Sequence, residues 1–369
     1  LRLVPPASVQ TEPVHADSPW LKEWIPRTRY PKADPTNYSA GWLTTAGWTC
    51  PTDLNQGDIP QSTNWSIGIE ANVPNEALAE PTNLYFNGWG VGGWSRAGSS
   101  GEKDVLNQIS RAVGFQTISP SPPAPLQPAP PTPPAPPGPA LIVPLDGGTI
   151  PLARYFLENA RSHLSEGEFY MDHRSGSLYV WPRPGWGGLH MVAVAPVATS
   201  VVELRGAHNH VFSNISFRDA GFSSVGCWCG EASEPDDATI KVVGSNNVVV
   251  EACRFLPGLA GYAVSATNAA AGLRVVGNQM LGLGQGGVIL FGNLSAPGFP
   301  GNSSQPRNAT IAWNFVKDAG QFLKHVAGAS LRAASHSLIS HNHFENMPRY
   351  GIEADTFMPT QASLHNVIE

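Results

Sequence analysis

The sequence predicts an all-β chain whose second half is a solenoid. Short apolar runs repeat at a period of a little over two dozen residues, one asparagine recurs at a fixed phase, and turn-forming residues are abundant where charges are sparse. Gly 38 and Pro 35 in 369 residues are high, and the charged fraction of 14% is low against the roughly 25% of average domains. Turns and short strands fit that balance better than long charged helices.

The repeat begins at about Val201. Val275-x-x-Asn278-x-Met280, Ile311-x-x-Asn314-x-Val316 and Ile339-x-x-Asn342-x-Phe344 are copies of one pattern. Val211-x-x-Asn214 and Val249-x-x-Ala252, each followed three residues later by Phe217 or Phe255, read as variants with one extra residue. An insertion over 294–305 lengthens one unit. After each corner a Gly-rich turn leads into a second strand, as in Gly287-Val288-Ile289-Leu290 and Gly351-Ile352-Glu353-Ala354. Runs this short cannot bury their own apolar face, so stacking has to build the core. Asparagine suits the corner because it tolerates left-handed backbone, and its amide can bond the amides of coils about 4.8 Å above and below. Asn278, Asn314 and Asn342 are therefore predicted to form a structural ladder. A sandwich of hairpins would need no asparagine at one fixed phase.

Four segments follow. Residues 1–118 form an irregular β module rich in Trp and Gly, with Trp42, Trp48, Trp65, Trp89 and Trp94. Residues 119–140 hold a Pro-rich run that lacks the N–H groups for helix or ladder and is predicted to be an extended spacer. Residues 141–200 lead into the solenoid. Within them Leu152–Leu164 places Leu152, Phe156 and Ala160 on one stripe, which predicts one short α-helix. Glu168–Trp181 alternates Phe169, Met171 and, past Ser175-Gly176, Leu178 and Val180, which predicts a hairpin. Residues 201–369 are the solenoid, expected to be cut short at Glu369.

Composition also excludes. Lys+Arg 22 against Asp+Glu 28 gives a net charge of −6 with no basic run, so nucleic acid is not an expected partner. No apolar stretch approaches the ~18 residues of a membrane helix, and no span is expected. Sequons begin at Asn37, Asn64, Asn214, Asn293, Asn302 and Asn308, in keeping with a secreted, extracellular monomer. Asn214, taken as a packed corner, is expected to be less accessible than Asn302. Cys50, Cys227, Cys229 and Cys253 are too few for a disulfide scaffold and lack zinc-knuckle spacing.

The coils from Val201 to Glu369 resemble the right-handed parallel β-helix repeats of the pectin-lyase-like superfamily. Tyr155–Pro182 is similar to the helix and hairpin of a group of secreted, carbohydrate-active-like β-helix proteins, and Arg29-Tyr30-Pro31 with Asp34-Pro35 resembles a segment near the start of the same group. The Pro-rich insertion departs from the pattern and looks like wall-glycoprotein sequence of green algae. The resemblance implies a groove on one parallel sheet in which a polysaccharide lies.

Candidate chemistry follows from the strands after the Gly turns. In Gly351–Asp355, period-two alternation turns Ile352 and Ala354 inward and projects Glu353 and Asp355 together to solvent. Their Cβ atoms should be about 6.5–7 Å apart, within reach of the carboxyl separations of glycosidases. Lys324 and His325 of the preceding coil and Arg349 of the same coil are the expected cations beside that pair, a set that a lyase on uronic-acid glycans would also use. Asp219, Asp236 and Asp237 are candidate substrate-binding residues, the last two in an acidic loop with Glu231 and Glu234. That loop is the place where Ca²⁺ would bind through oxygens, and no other cofactor is expected. His341 and His343 flank a turn, where a solvated or stacked role is expected over a metal pair. The expected activity is glycoside hydrolysis by the carboxylate pair. A lyase and a non-catalytic glycan-binding or wall protein are the alternatives.

Overall fold

The computed structural model describes residues 28–30, 32, 43, 48–49, 63–68, 84–91, 105–111, 114–118, 138–145, 152–184, 196, 198–221, 237–292, 304–321, 326–355 and 365–369. They belong to two compact units: one takes in Ala193–Ser224 and Cys229–Glu369, the other Ile25–Val192.

The unit holding Ile25–Val192 is antiparallel β. In one sheet Leu152–Glu158 lies between Arg29–Tyr30 and Tyr85–Val91, with Val105–Arg111 beyond. In another, Gly138–Leu145 lies between Thr63–Gly68 and Gly114–Ile118. The Pro-rich run therefore links two strands of one sheet instead of separating domains, and the ladder already begins at its last residues, Gly138 and Pro139.

The predicted helix is absent. Leu152–Glu158 is a strand, and only Arg161–His163 makes a single 3₁₀ turn. Pairing on both edges outweighs a weak helical stripe, and Asn159 in left-handed backbone (φ 64°) ends the strand. Its side chain grips the hairpin opposite, donating from Nδ2 to Met171 O (2.7 Å) and accepting at Oδ1 from Met171 N (2.8 Å). The hairpin is present as Glu168–Asp172 with Ser177–Trp181. Asp172 caps its turn by accepting from Arg174 N, Ser175 N and Ser175 Oγ. Its buried residue is Tyr170, with Leu178 46% exposed.

The other unit is a parallel β-helix with three sheets. Sheet one comprises Val202–Arg205, Ala238–Val243, Tyr262–Thr267, Val288–Phe291, Ala327–Arg332 and Tyr350–Asp355; sheet two runs from Val211–Ser213 to Val367–Ile368; sheet three runs from Ser216–Phe217 to His343–Glu345. Every neighbouring pair is parallel. Residues stacked coil over coil are 38, 25, 36 and 28 apart in sequence, and the two long coils contain insertions. Inside, aliphatic side chains align in columns such as Val250, Val275, Ile311 and Ile339, each at most 1% exposed. Each such side chain contributes about 1.5–3 kcal/mol by leaving water. Sheet one is entered through a column of glycines. At Gly328 a Cβ would lie 2.1 Å from Phe344 Cδ1 and 2.8 Å from Gly351 O, so no side chain fits there.

Asn278, Asn314 and Asn342 superpose. Asn278 Oδ1 accepts from Cys253 N (2.9 Å), and its Nδ2 donates to Val250 O and to Asn314 Oδ1 (both 2.9 Å). Asn314 Oδ1 also accepts from Asn278 N (3.1 Å), while its Nδ2 donates to Val275 O and Asn342 Oδ1 (both 2.9 Å). Asn342 completes the column by donating to Ile311 O (2.8 Å). Register puts Val250 beside Val275 and Phe255 beside Met280. The ladder position in that coil is thus Cys253, and in the first coil Ile215, because Arg254 N bonds Ile215 O. Asn214 falls one residue earlier, on a column of left-handed corners that continues through Ala252, Gly277, Trp313 and His341. It is exposed, which overturns its expected burial; Asn302 lies outside the described residues.

Replacing Asn314 with Ala strands Asn278 N–H and Val275 C=O, each buried. At about 1–3 kcal/mol per stranded group, denaturant unfolding is expected to show a loss of about 2–4 kcal/mol, and a smaller one for Asn342→Ala at its half-buried rung. Burial pushes the Cys253 thiol above its ordinary pKa, outweighing the backbone hydrogen bonds that lower it. A raised thiol pKa favours the folded state below the unfolded value and loses that contribution as pH rises through the folded one. Iodoacetamide at pH 8 should accordingly label Cys253 far more slowly in the folded chain than in denaturant, and equal rates would contradict this burial.

Candidate functional site

Alternation along sheet one divides its side chains cleanly. Val264, Ala266, Val288, Leu290, Ala329 and Leu331 join the interior cluster, so their neighbours face the other way. Register aligns those outer residues in two rows across the coils. One row is Glu203, Lys241, Ser265, Ile289, Ser330 and Glu353; the other is Arg205, Val243, Thr267, Phe291 and Arg332. The outer face is nevertheless mostly buried: Ser265, Thr267 and Ser330 are at most 1% exposed, and Lys241, Arg332 and Glu353 no more than 8%. Ile289 and Phe291 form an apolar patch on this face with Ala238, Tyr262 and Val326.

The polar groups centre on Glu353. Ser330 Oγ donates to its Oε2 (2.9 Å), and Arg332 Nη2 donates to Oε2 (3.1 Å) and to Oε1 at 3.3 Å. Both groups stand on the neighbouring strand, Ser330 directly in register with Glu353 and Arg332 two residues further along. Glu353 thus lies on the predicted face, but buried in an ion pair instead of open to solvent. Period two gives the face and says nothing of what covers it. Asp355 is in register with Arg332; its side chain lies outside the described residues. Tyr262 completes the surroundings. Burial pushes its phenol up to about 12, with Arg332 opposing and Glu353 adding to the rise, so it stays a neutral hydroxyl at physiological pH.

A second group of polar residues lies across the apolar patch. The hydroxyls of Thr239, Ser265 and Thr267 are buried without a hydrogen-bond partner among the described residues. Lys241, in register with Ser265, likewise has no ion-pair or hydrogen-bond partner there. Native proteins leave few buried polar groups unpaired, and these three hydroxyls are such exceptions among the described residues.

The remaining candidates scatter. Lys324, His325 and Asp236 lie outside the described residues, as do Glu231 and Glu234 of the acidic loop nominated for Ca²⁺. Among the described residues no three His, Cys, Asp or Glu side chains group as metal ligands. Arg349 stacks on the Tyr350 ring at 4.6 Å. A cation bonded to Glu353 is Arg332, and the sequence reading missed it, because only register links positions 21 residues apart. Asp219 takes a left-handed corner (φ 60°) and pairs with Arg218 at 2.6 Å, away from the rows of sheet one. Asp237 is buried at the entry to sheet one, its carbonyl accepting from Tyr262 N at 3.0 Å, rather than lying on an open loop. His341 stacks on Trp313 with ring centroids 4.2 Å apart, and His343 meets Phe315 edge-on at 5.2 Å.

No family model matches the chain, and no curated protein matches it. Among solved structures it is similar to one described as a glycoside hydrolase, at 14% identity and TM-score 0.49 over 93% of this chain, spanning 66% of that one. It is also similar to two of the catalytic domain of a GH87 alpha-1,3-glucanase in complex with nigerose, each at 10% identity. Their TM-scores are 0.23 and 0.22, over 89% and 85% of this chain and 67% and 69% of theirs.

Removing one member of a buried ion pair leaves an uncompensated charge at a cost of about 3–5 kcal/mol, whereas an apolar replacement of both is close to neutral. Arg332→Met and Glu353→Leu are each expected to destabilise the fold on that scale. The double variant should recover most of the loss in a denaturant-melt cycle; simple addition of the two losses would show that the groups do not act as a pair.

Proposed function

We propose that the protein is a secreted, polysaccharide-active β-helix protein that hydrolyses a glycosidic bond of a cell-wall or matrix glycan on the outer face of sheet one. The observation that carries this reading is Glu353, a carboxylate fixed by Ser330 and Arg332 two residues before Asp355. Because both its oxygens accept hydrogen bonds, Glu353 suits the base: it takes a proton from water as the water oxygen attacks the anomeric carbon. Asp355 supplies the proton that the departing glycosidic oxygen needs, so the bond breaks without a free alkoxide. The unpartnered hydroxyls of Ser265 and Thr267, with Lys241 beside them, are the groups to which sugar hydroxyls or a sugar carboxylate would bond. The apolar patch of Ile289 and Phe291 between the two groups offers the C–H face of a pyranose an apolar surface.

The same ion pair favours a second reading, a non-catalytic glycan-binding protein. A carboxylate already satisfied by arginine and serine is also what a rigid brace requires.

A glycan screen followed by a reducing-end assay separates the two. Hydrolysis predicts new reducing ends. Glu353→Gln and Asp355→Asn are each expected to lower kcat by about 10²–10⁴-fold, with the parallel β signature of circular dichroism unchanged. Binding without reducing ends over long incubation establishes the second reading, and an unsaturated, ultraviolet-absorbing product would identify a lyase and remove the hydrolase reading.

A further inference from the structure

Among the described residues the first coil is the edge of all three sheets. Val202–Arg205, Val211–Ser213 and Ser216–Phe217 each bond a neighbouring strand on one side only. An edge of this kind offers unpaired N–H and C=O groups to another chain, and natural sheets guard such edges by covering, charging or twisting them. This one is also apolar: Val211 is 61% exposed, Val201 49% and Ile215 40%. The ion pair between Glu203 and Arg205 charges the end belonging to sheet one, while the residues from Val211 to Ser216 carry no charge of their own; Glu251 and Arg254 of the next coil lie in register beside Ser213 and Ser216.

Asn214 stands in the middle of that uncharged stretch, at the corner between sheets two and three. It is exposed, its backbone is left-handed (φ 56°), and its N–H is spent on Glu251 O at 3.1 Å. Its side-chain amide has no hydrogen-bond partner among the described residues. The two following residues, Ile215 and Ser216, are exposed as well. Asn214-Ile215-Ser216 is an acceptor sequence for N-glycosylation. Asn308-Ala309-Thr310 differs in place although Asn308 too is exposed: Ala309 is 3% exposed and Thr310 is paired on both sides, to Arg274 and to Leu338. A sugar on Asn308 would stand on the wall of the solenoid, whereas one on Asn214 stands on its edge.

We propose that Asn214 carries an N-linked glycan that screens the open first coil against pairing with a second chain. The donor is an oligosaccharide esterified to a lipid diphosphate. Asn214 Nδ2 loses one proton and bonds the anomeric carbon, the bond from that carbon to the phosphate oxygen breaks, and the lipid diphosphate leaves. A branched, hydrated oligosaccharide rooted between Val211 and Ile215 excludes a partner strand by bulk, which a single charged side chain cannot do over two strands. The inference is independent of the chemistry on sheet one, since Asn214 and Glu353 lie at opposite ends of the stack.

The test uses the full chain secreted from a eukaryotic cell behind an added leader. Glycopeptide mass spectrometry should find Asn214 occupied in most molecules, occupancy should persist in Ser216→Thr, and it should vanish in Asn214→Gln. The folded glycoprotein is then treated with an amidase that removes N-glycans and followed by light scattering at rising concentration, so no result depends on whether a variant folds. Loss of at least half the monomer to larger species on treatment is expected, with the Asn308→Gln protein still monomeric before treatment. An empty Asn214, or scattering unchanged once its sugar is removed, overturns the proposal. Reducing-end activity, measured on the same samples, stands or falls separately.

Discussion

A coil of this solenoid is closed by the amide column at one bend. Strand hydrogen bonds run between coils and satisfy the straight segments, but a corner turns backbone N–H and C=O groups out of the ladder and into a buried position. Each such group needs a partner. Asparagine meets the need because one short side chain carries both an acceptor and two donors. Asn314 Oδ1 takes the N–H of Asn278 above while its Nδ2 reaches Val275 O and the rung below. The strands on either side of the bend can then stay in register without a gap in hydrogen bonding. Cys253 shows what is lost where the column ends. Its N–H is still received by Asn278, yet its thiol gives only weak bonds to Phe212 O and Glu251 O, and Ile215 in the coil beyond has no amide to extend.

With the corners held, the interior is filled by uniform aliphatic columns and the outer face of sheet one is released from any duty in forming the core. Its composition then changes sharply between adjacent coils. Ile289 and Phe291 give way to Ser330 and Arg332, and these to Glu353 and Asp355. Nothing in the stacking of a parallel sheet asks for that change, because aliphatic residues at all these positions would pack at least as well and avoid the desolvation of two charges. A polar outer face in a protein with few charged residues therefore points to a role outside folding.

The period and the bend were legible in the sequence because both are local. Val275, Asn278 and Met280 lie within one turn of chain, and their recurrence at Ile311, Asn314 and Val316 needs no knowledge of the fold. Matters that depend on register were harder to read. Counting from valine placed Asn214 on the column, whereas stacking puts Ile215 there, and that shift of one residue moves Asn214 from the interior to solvent. The strand Leu152–Glu158 was read as a helix because leucine, phenylalanine and alanine four apart satisfy a helical stripe. Its true determinants, Arg29–Tyr30 and Tyr85–Val91, lie far away in sequence.

Glu353 combines both cases. Alternation from Ile352 puts it on the outer face, as the structure has it. Its arginine could not be found the same way, because Arg332 reaches it only through stacking of one coil on the next. A cation placed by register is held more rigidly than one on a loop: Arg332 is anchored in a strand paired on both edges, and its guanidinium spans both carboxylate oxygens. The carboxylate so held keeps one orientation whatever occupies the face above it. That fixed orientation follows from the same coil-on-coil registration that the amide column enforces at the bend.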